Sequence, residues 1–187
     1  MRVISGSCRG KKLFAPPGVT TRPTSDRVKE ALFSIISSRI DFSDVHVLDI
    51  CAGTGSLGIE ALSRGAVSCC FIENSLSVKI IPEKNLLVTR CQDRSEILNM
   101  DAVNALKLMT GRGLCYDLVF FDPPYASGLY DSILETLNSA GLLASGSLLV
   151  AECSVRNQLL ESYGRLKRFD RRVYGETALE LFLMEER

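Results

Sequence analysis

Asp122-Pro123-Pro124-Tyr125 follows the apolar run Tyr116 to Phe121 without a spacer. Two consecutive prolines remove two backbone donors and fix φ, so they end a sheet ladder and freeze the loop after it. An acceptor carboxylate and a flat aromatic face are thereby held where a buried strand emerges. A second stretch of the same kind is Leu48 to Leu62, D-x-x-x-G-x-G after a strand, in which Gly53 and Gly55 allow a tight turn and close approach of a ligand. Its spacing differs from the six-residue dinucleotide fingerprint. Glu73 lies about twenty residues further on, at the end of the next apolar run, where an acid can accept both hydroxyls of a ribose. Asp101-Ala102 ends the third run, where Asp101 can reach an adenine edge or cap a helix.

These positions must be supplied by regular elements. Five short apolar runs, 45–50, 67–73, 96–101, 116–121 and 147–152, alternate with helical stretches such as 57–65 and 129–143. Such runs suit strands buried on both faces of a parallel sheet, and their alternation with helices predicts βαβ crossovers with ligands at the carboxyl ends of the strands. Residues 165–175 and 178–186 break that rhythm and predict a closing antiparallel hairpin around Gly175-Glu176-Thr177. At the amino end, short runs around Ser5-Gly6-Ser7 predict a small hairpin, followed by a loop at Pro16-Pro17-Gly18. Val28, Leu32, Ile35, Ile36 and Ile40 recur at helical spacing, with Thr24 or Ser25 as N-cap and Asp26 in the first turn. The expected division is 1–40 for the hairpin and helix and 41–187 for the α/β body.

Composition restricts the setting. A chain of 187 residues with 46% hydrophobic residues can bury one sizeable core. Its seven cysteines are odd in number, sit mostly in apolar runs and include no C-x-x-C pair, which points to reduced thiols of a cytoplasmic protein and away from a metal site. Cys69 and Cys70 fall on opposite faces of one strand, and His46, the only histidine, starts a strand at the end remote from the ligand edge; all three read as structural. No run approaches the length of a membrane span, and the first ten residues lack the apolar core of a signal peptide. The formal net charge is zero, but Arg2, Arg9, Lys11, Lys12, Arg22, Arg27 and Lys29 crowd the first thirty residues and Gly164 to Arg172 is a second basic run. Local basic patches steer polyanions even on a neutral protein.

A glycine turn, two acids and D-P-P-Y on four successive strand ends resemble the S-adenosylmethionine-dependent methyltransferases that act on exocyclic amines of nucleobases. The amino-terminal segment narrows the resemblance. R-V-I-S-G-S-C-R-G-K-K-L and T-R-P-T-S-D-R-V-K-E-A-L-F-S are similar to the opening of the bacterial small-subunit (16S) ribosomal RNA guanine-N2 methyltransferases: a glycine hairpin, R-G-x-x-L, then R-P-T-x-D-R-V-[RK]-E-x-L-F. Ser5, Cys8 and Cys51 depart from it, standing where a second glycine, an aromatic and Phe are usual.

The resemblance implies a Rossmann-like class I methyltransferase fold, with a mostly parallel seven-stranded sheet, and S-adenosylmethionine as cofactor. Asp49, Cys51, Ala52, Gly53, Gly55, Glu73, Asp101 and Ala102 are then the cofactor residues. Asp122 and the Pro123 carbonyl accept from the guanine amine, and Tyr125 stacks on the extruded base. Arg9, Lys11, Lys12, Arg22 and Arg27 are expected to hold ribosomal RNA, within a small subunit or its assembly intermediate, and neither metal nor membrane is called for. D-P-P-Y alone equally suits adenine-N6 or cytosine-N4 methylation of DNA or RNA. A protein-glutamine methyltransferase would carry Asn in place of Asp122, and a non-catalytic RNA-binding or assembly protein would have no need of an intact glycine turn beside D-P-P-Y.

Overall fold

The computed structural model describes residues 1–15, 26–124 and 128–186. The elements in chain order are α1 (Asp26–Ser37), β1 (His46–Ile50), α2 (Ser56–Arg64), β2 (Ser68–Ile72), α3 (Leu76–Thr89), β3 (Ser95–Leu98), α4 (Ala102–Thr110), β4 (Tyr116–Phe121), α5 (Tyr130–Ser139), β5 (Leu143–Ser154), β6 (Ser162–Tyr163), β7 (Leu166–Tyr174) and β8 (Thr177–Met184). They form one sheet in the order β3-β2-β1-β4-β5-β8-β7-β6. Strands β1 to β5 are parallel; β8 runs antiparallel to β5, and β7 and β6 continue antiparallel. The reversal between β1 and β4 places two loops side by side at the carboxyl edge, the usual ligand crevice of such sheets.

The sheet has eight strands where seven were expected. The addition is β6, two residues that turn back at Gly164 (φ 61°) and pair with Leu166 and Lys167. Tyr163 anchors it by donating to Asp131 on α5 at 2.6 Å. The last hairpin is as expected, with Tyr174 paired to Thr177. The third strand is shorter than the 96–101 run because Asn99 turns away to donate its side-chain amide to the Glu73 carbonyl at 2.7 Å.

Strand alternation divides the core. One face carries Leu48, Ile50, Phe121, Leu149 and Ala151 beneath α4 and α5. On the other, Val47, Phe71, Phe120, Val150 and Leu181 lie beneath α1, α2 and the amino-terminal segment, whose Val3, Cys8 and Leu13 join the same cluster. Cys69 and Cys70 fall in different clusters, as the alternation predicts. All seven cysteines are free thiols. No helix among the described residues is long and apolar enough to cross a membrane.

Candidate active site

The chain leaves β1 through a turn that enters the left-handed region repeatedly, at Cys51 (φ 62°), Gly53 (φ 54°) and Gly55 (φ 72°). Ala52 N–H donates to the Ile72 carbonyl at 3.0 Å, tying the turn to the end of β2. Among the described residues, a Cβ on Gly53 would meet only the Cys51 carbonyl, at 3.9 Å, so they leave this backbone face free for a ligand to approach. Gly58 has a different reason to lack a side chain: its Cβ would stand 2.6 Å from Cys69 Sγ, and only glycine lets α2 lie this close to β2.

Asp49 serves the turn from below. Gly55, the N-cap of α2, has no side chain to cap with, and Asp49 Oδ2 accepts from Gly58 N at 3.0 Å, satisfying one of the helix's orphan donors. Burial raises the Asp49 pKa to about 7, against the lowering effect of that hydrogen bond. Glu73 holds the upper lip. Its Oε2 accepts from Gly53 N at 3.0 Å and its Oε1 from Ser75 N at 2.9 Å, fixing the carboxylate while each oxygen keeps acceptor capacity for a hydroxyl. Asp101 is exposed and caps α4, its Oδ1 accepting from Val103 N and Asn104 N at 3.0 and 3.2 Å; Ala102 is buried behind it.

The end of β4 meets the turn directly: Asp122 N–H donates to the Ile50 carbonyl at 3.3 Å. Asp122 is half-buried at the edge, and Pro123 is buried. Burial, then the charges of Glu152 and Asp49, hold the Asp122 carboxyl well above the usual carboxylate range. Cys51 sits among the same acids, its thiol pushed up to about 12 by burial and then by Glu73, Asp122, Asp49 and Asp101. The structure thus brings together Asp49, Cys51, Ala52, Gly53, Gly55, Glu73, Asp101 and Asp122. Tyr125 lies outside the described residues. Glu152, two residues before the end of β5 and beside Asp122, was absent from the sequence expectations, because a lone Glu ending an apolar run gives no signal until the neighbouring strand is known.

Around this edge the surplus is negative and buried, which suits a ligand carrying positive charge. Among the described residues, no group of three or more His, Cys, Asp or Glu side chains could hold a metal ion. The open Gly53 face, the fixed Glu73 carboxylate and this acidic surround fit S-adenosylmethionine, whose sulfonium and ammonium are cationic and whose ribose offers two hydroxyls.

The basic residues divide differently from the expectation. Lys29 does not belong to an exposed patch: its side chain is sealed from solvent, with Nζ 2.6 Å from the Arg2 carbonyl it donates to and 3.5 Å from Glu60 Oε2. Glu60 also accepts from Ile4 N and Ser5 N at 2.7 and 2.9 Å, so this buried pair fastens the hairpin to α2. Lys11 donates to the Val88 carbonyl at 2.9 Å, while Arg9, Lys12 and Arg27 are exposed, and Arg22 lies outside the described residues. In the second basic run, Arg168 and Arg171 both converge on buried Glu180, at 3.0 and 2.7 Å, and Arg172 pairs with Asp170. Those arginines are partly neutralised by acids of the same sheet, while Arg171 and Arg172 keep exposed surface. His46 bonds Ser68 Oγ at 2.8 Å and lines a cleft at the amino ends of the strands, on the opposite edge from the site.

Asn85 of α3 was also missed. It is fully buried, accepts from Phe14 N at 2.7 Å, and its amide donates to the carbonyls of Phe14 and Thr54 at 3.1 and 2.9 Å. It joins the exit of the hairpin to the glycine turn.

A parallel sheet reversing between β1 and β4 and closed by an antiparallel strand, with an open glycine turn, an acid after β2 and Asp-Pro-Pro after β4, defines an S-adenosylmethionine-dependent methyltransferase. The family description conserved hypothetical protein 95 matches residues 1–183, and the chain belongs to this family, that of ribosomal RNA small subunit methyltransferase D. YlbH of Bacillus subtilis, provisionally named an rRNA methyltransferase, is 34% identical over 182 residues, covering 97% of this chain and 98% of its own. Ribosomal RNA small subunit methyltransferase D of Escherichia coli is 34% identical over 185 residues, 99% of this chain and 90% of its own. The solved structure of YhhF from Escherichia coli, provisionally described as a methyltransferase, superposes with a TM-score of 0.86 at 33% identity, over 100% of this chain and 99% of that one.

Proposed function

We propose that this protein methylates the exocyclic N2 amine of a guanine in small-subunit ribosomal RNA. The observation that carries the reading is Asp122, which leads Asp-Pro-Pro out of β4 at the carboxyl edge and whose backbone N–H donates to the Ile50 carbonyl just before the glycine turn. The relatives named as ribosomal RNA methyltransferases support the nucleic-acid class of substrate.

A guanine amine is a poor nucleophile because its lone pair is delocalised into the ring. Asp122 and the Pro123 carbonyl accept its two N–H groups and let the nitrogen pyramidalise, with Tyr125 stacked on the extruded base, and the proton that the nitrogen gives up on gaining the methyl passes to the Asp122 carboxylate. When bound, S-adenosylmethionine supplies an activated methyl on a positive sulfur. Glu73 orients the ribose, the Gly53 face admits the methionine part, and the main contribution of the protein is alignment of nitrogen, methyl and sulfur. Exposed Arg9, Lys12 and Arg27, together with Lys11 and Arg22, position the RNA through its phosphates. The substrate is a small ribosomal subunit or its assembly intermediate.

The test is methyl transfer from labelled cofactor to small subunits taken from cells lacking this activity, followed by nucleoside analysis. N2-methylguanosine is expected; label in N6-methyladenosine or N4-methylcytidine would replace the guanine reading, and no transfer despite cofactor binding would favour a non-catalytic protein.

A further inference from the structure

Phe121 of β4 and Ala151 of β5 are register partners, so the next residues outward, Asp122 and Glu152, stand side by side at the carboxyl edge. Phe121 and Ala151 both enter the core beneath α4 and α5; alternation therefore sends Asp122 and Glu152 to the opposite face, toward which Asp49 also projects. Glu152 is buried, and after burial itself its charge is the largest influence on Asp122. Its main chain is held from behind, where the Tyr130 hydroxyl donates to the Glu152 carbonyl at 3.1 Å. A half-buried and a buried carboxyl side by side cost a fold stability, and such arrangements concentrate where a ligand needs them.

The pairing edge of guanine offers two donors in a row, the exocyclic amine and N1–H. Adenine and cytosine place an unprotonated acceptor nitrogen beside their amine. A second acceptor next to Asp122 therefore matches guanine and opposes the other two bases, since an acceptor facing a buried carboxylate leaves both unsatisfied. We propose that Glu152 reads the base: its carboxylate accepts N1–H of the guanine whose amine is held by Asp122. This rests on the guanine-N2 reading and deepens it, by assigning to one side chain the choice among exocyclic amines that Asp-Pro-Pro-Tyr leaves open.

The experiment has two stages with separate failures. The labelled-methyl assay first locates the modified position; label on another base overturns the guanine reading itself. Small subunits are then reconstituted with RNA carrying guanosine or 2-aminopurine riboside at that position. The analogue keeps the amine but presents an unprotonated N1. In single turnovers the wild-type enzyme is expected to prefer guanine by about 100-fold or more, the scale on which a site built for a hydrogen bond rejects an analogue lacking it. Glu152→Gln, whose amide both accepts and donates, should narrow that preference by at least about tenfold, the value of one hydrogen bond to a charged group. A preference equal in both proteins overturns the assignment, because a merely structural residue would slow both substrates alike. Should the variant fail to fold in a thermal melt, the wild type decides: equal methylation of guanine and 2-aminopurine removes Glu152 from the base.

Discussion

Lys29 Nζ and Glu60 Oε2 lie 3.5 Å apart, and neither side chain touches solvent. Burial lowers the Lys29 pKa against the opposing pull of Glu60, and the hairpin N–H groups of Ile4 and Ser5 complete the carboxylate's bonding. Removing one member of a buried pair strands the other, so Lys29→Met should destabilise the fold by about 3 to 5 kcal/mol, toward the lower end because Arg64 also reaches Glu60 at 3.0 Å. Urea denaturation measures it. A loss below about 1 kcal/mol would show that Arg64 alone suffices to neutralise Glu60.

Asp49 makes stability depend on pH. Its folded pKa of about 7 exceeds the ordinary 3.8, so the folded state holds a proton that the unfolded chain releases between those values. The contribution is present below pH 3.8 and lost as pH rises through about 7, on the order of 4 kcal/mol in all. Asp49→Asn keeps an acceptor for Gly58 N–H and should abolish this slope. Denaturation at pH 5 and pH 8 compares the two proteins; parallel losses would mean that Asp49 ionises normally.

Glu73 holds Gly53 N–H and, in the proposed reading, offers acceptors to a ribose. Glu73→Ala should weaken S-adenosylmethionine binding by about 1 to 3 kcal/mol, as hydrogen bonds to a charged acceptor disappear and the turn loses its brace. Glu73→Gln should fall between. Calorimetry reads both, and unchanged affinity in the Ala variant would separate Glu73 from the cofactor.

Asp122→Ala should abolish methyl transfer and leave cofactor affinity and folding largely intact, since the interaction proposed for it is made with the base as the nitrogen changes geometry. Tyr125→Ala should lose about 1 to 3 kcal/mol of stacking, whereas Tyr125→Phe keeps the ring and much of the activity. Single-turnover methylation with a thermal melt for each variant orders them. An inactive Tyr125→Phe beside an active Asp122→Ala would reverse the assigned roles.

RNA affinity should fall steeply with salt. Replacing Arg9 and Lys12 together by Ala should flatten the log–log slope by roughly 0.7 to 0.9 per lost phosphate contact. Filter binding to small subunits across a salt series gives the slope, and an unaltered one would turn the exposed face of the hairpin away from the RNA.

The α/β alternation, the parallel body and the closing hairpin were legible because fully buried strands write continuous apolar runs. The helix α3 was not. Leu76, Ile80 and Leu87 are exposed and Pro82 sits within it, so no clean apolar stripe marks its period. Site residues carried by local motifs, such as Gly53, Gly55 and Asp122, could be found along the chain. Glu152, Asn85 and the Lys29–Glu60 pair could not, because each acquires its meaning from a partner on another element, 56 positions away for Glu60 and Ile4. Charge was misread for the same reason: a run of basic letters does not tell whether acids such as Glu180 and Glu60 stand opposite.

The basic strand β7 has a consequence for how molecules of this protein meet one another. Among the described residues, strand β6 pairs with β7 only at Leu166 and Lys167, and Arg168 N–H donates to the Glu161 carbonyl at 2.9 Å, so beyond Arg168 the strand runs to Tyr174 as the rim of the sheet. Along that rim stand Arg168, Asp170, Arg171 and Arg172, and a register shift between Arg168 and Asp170 distorts the ladder there. The other rim, β3, is four residues long and carries Glu96. Charged, interrupted or very short borders give a second sheet little to extend, so crowding during synthesis favours separate molecules over edge-to-edge aggregates.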